Sequence, residues 1–198
     1  MSKKTKYLIC SKKKIDLNDI DIDSKYLEQV KSYKYFGSTV NGDNSIEEEI
    51  KQRTDLSNRT YFAYQKNSKS KLLSKEAKLT LYWTIIRPVI THCSETWALK
   101  ESVKRKLLIT ERRILRRITQ TYKGEKKIKT NYELSNLIRN KNVINYLEAL
   151  RLSWFGHVHR MTNDTTFKKL YECQSISTRW AGRPTISWKY DMRRCYYY

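Results

Sequence analysis

The sequence predicts a mainly α fold, with a small β remnant of two or three short strands at the N-terminus followed by about five helices. Three observations carry this prediction. The 198 residues include only five glycines and two prolines, which favours long helices joined by short loops. Beyond position 74, apolar residues recur at helical spacings of three and four. Before position 42, short runs rich in β-branched and aromatic residues indicate strands.

The strand signals lie in three places. Residues 7–9 form a short apolar run, Ile15 and Leu17 alternate with polar neighbours, and residues 30–40 are rich in β-forming side chains. From Asn44 or Ser45 onward, the pattern becomes helical, with three consecutive glutamates in the first turn, where acids favour a helix start. This helix is predicted to run to about residue 66.

A second helix is predicted to begin at Ser74, whose hydroxyl is a suitable N-terminal cap. Its apolar stripe follows spacings of four, three, four and four and consists of Tyr82, Ile86, Val89, Cys93 and Trp97. Pro88 lies inside the stripe and is expected to kink or break the helix, because proline removes a hydrogen-bond donor and crowds the preceding turn.

The next helix, predicted from residue 101 to about 121, has a distinct apolar side. Its inner face is formed by Leu107, Leu108, Ile114, Leu115 and Ile118. A further helix is predicted over residues 143–161, where apolar side chains again recur every three or four positions. After Thr162 the pattern is less regular, and Gly182-Arg183-Pro184 marks a turn before a short candidate helix ending near Arg194.

The charge of the chain points to an anionic partner. Forty-one Lys and Arg residues against 20 Asp and Glu residues give a formal net charge of +21, which a polyphosphate surface explains most simply. The aromatic content of 12% exceeds that of a disordered basic tail, so we expect packed structure. The chain has neither a membrane-spanning apolar run nor a secretion signal, so an intracellular location, nuclear or cytoplasmic, and no membrane partner are expected.

The strongest basic signal lies in residues 101–129, which hold eleven basic and three acidic residues. Two adjacent stripes on the outer face of the predicted helix, followed by a lysine-rich loop, comprise Arg105, Lys106, Arg112, Arg113, Arg116, Arg117, Lys123, Lys126 and Lys127. Only Glu111 stands beside the four central arginines. Like charges so placed repel, and phosphate binding would relieve the repulsion. The alternative is a solvated face or a nuclear-import signal.

Several other residues are candidates for binding or metal sites. Tyr122 and Trp180 are candidates for base stacking or for the core. Asp19, Asp21 and Asp23 alternate along a possible strand, which favours a solvated hairpin face over a cation site. His157 and His159, with Cys173 or Cys195, match no zinc-finger spacing, and a packing turn at Trp154-Phe155 with surface histidines is preferred. The four cysteines show no CxxC pair, so reduced thiols, no metal and no cofactor are expected.

Six segments, in order, resemble the C-terminal part of the reverse transcriptase polyprotein of non-LTR (LINE-type) retrotransposons. Residues 4–8 resemble the end of the palm after the catalytic loop, residues 33–40 the primer-grip segment FKYLGSTI, and residues 48–53 the start of the thumb. Residues 95–97 resemble the end of the motif YGCETW, residues 154–161 the motif WFGHVxRM, and residues 182–188 the motif GRPxxxW. One departure is that Cys93-Ser94 stands where the family carries Gly-Cys.

The resemblance implies a division of the chain into three parts: a palm-end and primer-grip remnant at 1–42, a helical thumb-like region with the basic helix at 43–129, and a C-terminal helical region with a basic tail at 130–198. It also makes Tyr35, Phe36 and Gly37 primer-grip-like. Gly37 suits close approach of a nucleic-acid backbone, and a bulge or tight turn is the alternative.

The functional expectation is a noncatalytic reverse-transcriptase fragment that binds RNA or DNA without sequence preference. In the family, polymerase chemistry requires metal-binding carboxylates on segments that include an aromatic-Ala-Asp-Asp loop, and this sequence has no such loop. The candidate protein partner is a complete reverse transcriptase. The alternative is a decayed transposon-derived relic that acts as a protein-interaction module or has no selected function.

Overall fold

A computed structural model of the chain describes residues 5–10, 20–22, 25–43, 45–119, 129–139, 141–173 and 188. Helices dominate the described residues and a few short strands precede them, so the predicted mainly α class with a small N-terminal β remnant is confirmed. Internal contacts group the chain into two compact units, Met1–Arg53 and Thr54–Tyr198. The predicted three-part division stays a prediction.

The N-terminal unit contains a three-stranded sheet in the order β1-β3-β2, formed by β1 (Lys6–Tyr7), β2 (Ile20–Ile22) and β3 (Lys25–Gln29). Strand β1 runs parallel to β3, and β2 runs antiparallel to it. The described residues form five strands, where the sequence predicts two or three. The predicted alternation at Ile15 and Leu17 lies outside the described residues. Strands β2 and β3 are short and carry charged residues, Asp21 in β2 and Lys25 and Glu28 in β3, so their β signal is weak.

A separate antiparallel hairpin follows, with β4 (Ser32–Tyr35) paired to β5 (Ser38–Asn41). Its register sets Tyr35 opposite Ser38, so the two residues between them form the tightest possible connection. This hairpin accounts for the β-rich stretch predicted at 30–40. Helix α1 (Glu47–Ala63) then begins with its three glutamates in the first turn, as predicted, and a separate short helix α2 (Gln65–Lys69) follows.

The helix predicted from Ser74 is present but changes form midway. Helix α3 (Lys75–Leu81) begins where the Ser74 hydroxyl accepts a hydrogen bond from the Ala77 N–H at 3.1 Å. It continues as a π-helical turn (Tyr82–Ile86) and then as α4 (Arg87–Ile90). The wider turn places Pro88 in the first turn of α4, where the missing N–H is tolerated, so the chain stays helical through Pro88.

The predicted stripe outlasts the helix. Helix α4 ends at Ile90, and Cys93 adopts a left-handed backbone with φ of 56° before a 3-10 turn at Ser94–Thr96. Cys93 and Trp97 therefore lie beyond the helix, although Trp97 is buried. A left-handed residue cannot continue a right-handed helix, so the α-helix does not resume at Cys93.

The remaining helices are α5 (Glu101–Thr119), α6 (Asn131–Leu137), α7 (Val143–Arg160) and α8 (Thr166–Glu172). Helix α5 packs against α3, α6 and α7, and α8 packs against α7. The centre of this unit holds large, fully buried side chains, among them Arg151, Tyr61, Tyr82, Ile86, Ile90, Leu107, Ile114, Leu115, Leu134 and Leu147. Within the described ranges, no helix is both long enough and apolar enough to cross a bilayer.

Candidate nucleic-acid interface

The basic helix α5 has the orientation that its sequence predicts. Leu107, Ile114, Leu115 and Ile118 are buried, and Leu108 is half-buried, so the predicted inner face is confirmed. Because the apolar side of α5 is directed at the core, its opposite side is left to solvent. The cationic stripes lie on or beside that opposite side.

Glu111 does not lie among the arginines. Its carboxylate is buried and accepts hydrogen bonds from the Tyr82 hydroxyl at 2.8 Å and from the Val143 N–H at 2.9 Å. It also forms an ion pair with Arg87, with an N–O distance of 3.4 Å. The acidic residue that the sequence places beside the stripes is thus used inside the core and leaves the outer arginines unneutralised.

The first predicted stripe consists of Arg105, Arg112 and Arg116, and these three side chains lie in different environments. Arg105 is exposed, with its Nε 3.8 Å from the carboxylate of Glu101. Arg116 donates hydrogen bonds to the Lys129 carbonyl at 3.0 Å and to Asn131 Oδ1 at 2.7 Å, so it holds the start of α6. Arg112 is half-buried and makes no ion pair with any described residue. Only part of this stripe is therefore available to a ligand.

The second stripe consists of Lys106, Arg113 and Arg117 and is more open to solvent. Lys106 and Arg113 are exposed, and no acidic side chain among the described residues lies within ion-pair distance of either. They are seven positions apart and so face the same way, about two helical turns or roughly 10 Å from each other. Arg117 is also exposed, and its guanidinium lies over the rings of Tyr61 and Phe62. Lys106, Arg112 and Arg113 share the property that none of them forms an ion pair with a described acidic residue, and we refer to these three residues as the open cationic set.

Arg117 makes a contact with aromatic rings that the sequence does not predict. Tyr61 and Phe62 are adjacent on α1, and more than 50 residues separate them from Arg117. Only the packing of α1 against α5 could bring the guanidinium to these rings, so no local pattern signals it. The predicted loop residues Lys123, Lys126 and Lys127, together with Tyr122 and Trp180, lie outside the described residues.

The primer-grip-like residues form the tip of the β4-β5 hairpin. Phe36 and Gly37 occupy the two central turn positions with φ of 46° and 81°, both left-handed, as in a type I′ turn. Of the two local conformations left open for Gly37, the tight turn is the one observed. Tyr35 and Phe36 are 59% and 79% exposed, and their rings meet edge to face at 4.4 Å between centroids.

The hairpin tip is fixed by a buried ion pair at the start of α1. Arg53 donates to the Gly37 carbonyl and, through Nε, to Glu49 at 2.6 Å. The other oxygen of the Glu49 carboxylate accepts the Thr39 N–H at 2.7 Å. Positive φ at a phenylalanine is costly, and surrounding contacts of this kind are what hold such a residue in place.

The remaining candidates are dispersed. Asp21 is exposed on β2, whereas Asp19, Asp23 and Cys195 lie outside the described residues. His157 and His159 are exposed on α7, so the predicted surface histidines are confirmed, but the predicted packing turn at Trp154-Phe155 is wrong because both residues are helical. No group of three His, Cys, Asp or Glu residues in the described ranges is placed to hold a metal ion. No disulfide joins the described cysteines.

Comparisons with known proteins place this chain near transposon sequences. No protein-family model matches it, and no solved structure does. Over 172 residues, which cover 85% of the chain, it is 24% identical to an uncharacterized transposon-derived protein of Caenorhabditis elegans. The matched region is 61% of the length of that curated relative, so the chain spans about three-fifths of it. The similarity supports a transposon origin for this chain.

Proposed function

We propose that this chain is a noncatalytic segment, derived from a non-LTR retrotransposon reverse transcriptase, that binds RNA or DNA without reading sequence. The observation that carries the proposal is the open cationic set on α5, together with the burial of the Glu111 carboxylate in the core. Three cationic side chains on a helix, with no described acidic partner, form a surface whose self-repulsion an anionic polymer relieves.

Binding would proceed by phosphate neutralisation. Each phosphate paired with Lys or Arg releases condensed counterions, and the logarithm of the binding constant falls by about 0.7–0.9 per contact for each unit rise in log salt. The open cationic set alone therefore accounts for a slope of about −2 to −3. Contacts from lysine and arginine to phosphate carry no sequence information, which is why sequence tolerance belongs to the proposal.

A second contact is proposed at the hairpin tip of the N-terminal unit. Tyr35 and Phe36 present exposed rings, and Phe36 is held with an unfavourable backbone by the contacts of Arg53 and Glu49. Strained, exposed residues that their surroundings hold rigidly are concentrated at functional sites. Aromatic rings at a turn are suited to stacking against bases, and Gly37 leaves the backbone open to close approach.

The reverse-transcriptase origin rests on the six ordered motifs, and the transposon-derived relative is consistent with it. The proposal gives the chain a binding role without polymerisation, because the sequence lacks the aromatic-Ala-Asp-Asp loop that carries metal-binding carboxylates in the family. A complete reverse transcriptase is proposed as a partner for which this chain holds template or primer.

The second candidate is a transposon-derived relic that acts as a protein-interaction module or has no selected function. One observation favours an interaction role. On α8, Phe167 and Leu170 are three positions apart, and both are largely exposed. Two large apolar side chains on one turn of a short helix are more typical of a protein contact than of a phosphate contact.

Fluorescence anisotropy with labelled U20 RNA and a 20-base-pair DNA duplex tests the proposed function. We expect both to bind at 50 mM salt and to weaken steeply by 200 mM, with a log–log slope of −2 or steeper. Failure to bind either probe at 50 mM salt, or binding that does not respond to salt, would contradict the proposal and favour the second candidate.

A further inference from the structure

An aromatic ring lies beside the cationic surface of α5. Phe62 on α1 is 55% exposed, whereas the adjacent Tyr61 is fully buried. The two rings meet at 65° with 5.6 Å between centroids, so the buried Tyr61 ring supports the exposed ring from one side. A half-exposed phenylalanine braced in this way is a rigid apolar surface open to solvent.

Arg117 connects this ring to the cationic face. Its guanidinium carbon lies 5.5 Å from the centroid of Phe62 and 5.7 Å from that of Tyr61. Arg117 is four positions after Arg113, so the two arginines are neighbours on successive turns of α5. Lys106, Arg113 and Arg117 therefore follow one another along the outer face of α5, and the Phe62 ring lies beside the last of them.

This combination is the one that single-stranded nucleic acids require. Proteins that bind single strands pair a positively charged track for the backbone with aromatic side chains on which bases stack. In a duplex, the faces of the bases are already stacked on their neighbours, and a ring on a helix surface meets only phosphate and sugar. A purely electrostatic surface would have no use for an exposed phenylalanine next to its arginines.

We infer that this surface selects single-stranded nucleic acid, with a base stacked on the Phe62 ring and the adjacent phosphate paired with Arg117. The inference rests on the proposed function and adds the strandedness of the ligand and the residue that determines it. Arg117 is exposed although it contacts the rings, so its guanidinium can accept a phosphate while it stays beside Phe62.

The test compares dT20 with an abasic 20-mer that carries the same phosphates and no bases, using the full chain at 100 mM salt. We expect dT20 to bind at least about fivefold more tightly than the abasic strand, since stacking one base contributes about 1 kcal/mol or more. A 20-base-pair duplex is expected to bind more weakly than dT20. Equal affinity for dT20 and the abasic strand would overturn the inference and leave the salt-dependent binding of the proposed function intact.

Variants test whether Phe62 causes the preference for dT20 over the abasic strand. The comparison is made in a chain that carries Tyr35→Ala and Phe36→Ala, which removes base stacking at the hairpin tip. In this background, Phe62→Ala is expected to lose the fivefold preference and keep its affinity for the abasic strand, whereas Phe62→Trp is expected to retain the preference. Phe167→Ala, which removes a phenylalanine of similar exposure from α8, serves as the matched control and should bind as the unmodified chain does. A preference that survives in Phe62→Ala, or that falls equally in Phe167→Ala, would overturn the assignment. No binding to any strand at low salt would overturn both the inference and the proposed function.

Discussion

The Tyr82 hydroxyl donates a 2.8 Å hydrogen bond to the carboxylate of Glu111, and both side chains are buried. The same carboxylate accepts the Val143 N–H at the start of α7 and pairs with Arg87 at the start of α4. Arg87 also donates to the Lys141 carbonyl. One carboxylate thereby joins the π-helical turn, α4, α5 and α7. The network fixes the rotation of α5 about its axis, which determines the residues on its outer face.

Replacing Glu111 by Gln should be strongly destabilising. The change leaves the buried Arg87 guanidinium without its counter-charge, and breaking a buried ion pair in this way costs about 3–5 kcal/mol. Urea denaturation followed by circular dichroism measures the free energy of unfolding. Glu101→Gln, at an exposed position of the same helix, is the control and should change it by less than about 0.5 kcal/mol. Equal stability of the two variants would show that the network does not hold α5.

Tyr82 should make stability fall at alkaline pH. Burial, followed by the nearby Glu111 charge, raises the pKa of Tyr82 well above the ordinary tyrosine value of 10.0. Below pH 10 the hydroxyl is protonated in both folded and unfolded chains, and its contribution is complete. Above pH 10 the unfolded chain loses the proton first, so the free energy of unfolding falls by up to about 1.4 kcal/mol per pH unit until the folded group also ionises.

The comparison with Tyr82→Phe isolates this effect, because titration of the other groups is common to both chains. Below pH 10 the unmodified chain should be more stable by about 1.5–3 kcal/mol, the contribution of a hydrogen bond to a charged group. The difference should shrink as pH rises above 10. A difference that is constant from pH 8 to pH 11 would rule out the raised pKa of Tyr82.

Replacing Cys93 by Gly should make the folded protein more stable. Its φ of 56° is left-handed, which costs an ordinary L-residue about 1–2 kcal/mol, and this is the position where the resembling family carries glycine. We expect Cys93→Gly to raise the free energy of unfolding by about 1 kcal/mol in thermal or urea denaturation. His92→Gly, at the preceding position, where φ is negative, should lower it. Destabilisation by both changes would mean that the Cys93 side chain outweighs its backbone strain.

Substitution of Arg116 should lower the stability of the protein, whereas substitution of Arg113 should lower its affinity for nucleic acid. Arg116→Ala removes hydrogen bonds to Lys129 and Asn131 and is expected to lower the free energy of unfolding by about 1–2 kcal/mol. Arg113→Ala removes an exposed side chain and should change it by less than about 0.5 kcal/mol. The affinity for U20 should fall in Arg113→Ala. Two variants with the same unfolding curve would contradict the division of the arginines into structural and exposed members.

Local sequence patterns predict much of the helical architecture. Ser74 caps its helix, Glu47–Ala63 begins with acids, and the apolar side of α5 is buried as its spacing indicates, since these features depend on residues within a few turns. The hairpin of residues 32–41 likewise follows from its β-forming side chains. The π-helical turn before Pro88 and the left-handed Cys93 are not signalled, because the apolar spacing from Tyr82 to Trp97 continues through both without a break.

The sequence predicts only part of the candidate site. Helical spacing placed Lys106 and Arg113 on one outer face, but it could not show that Glu111 is taken inward by Tyr82, Arg87 and Val143. Nor could it show that Arg116 holds the start of α6. These outcomes depend on residues 13–32 positions away, and which partner a charged side chain meets is decided by tertiary packing rather than by periodicity.

The proposed function requires that the open cationic set bind nucleic-acid phosphates. Its test replaces Lys106, Arg112 and Arg113 by Ala and compares this variant with one that loses the same charge at three exposed lysines on other segments, Lys66, Lys71 and Lys169. Both variants keep the same net charge, so a difference between them reports position rather than total charge.

The measurement is the affinity for U20 RNA by fluorescence anisotropy at several salt concentrations between 50 and 200 mM, with folding of each variant checked by circular dichroism. The Lys106, Arg112 and Arg113 variant should bind at least about tenfold more weakly at 50 mM salt, with a log–log slope shallower by about 2, and the control should stay near the unmodified chain. Equal affinities and slopes for the two variants would contradict the assignment of the interface to α5.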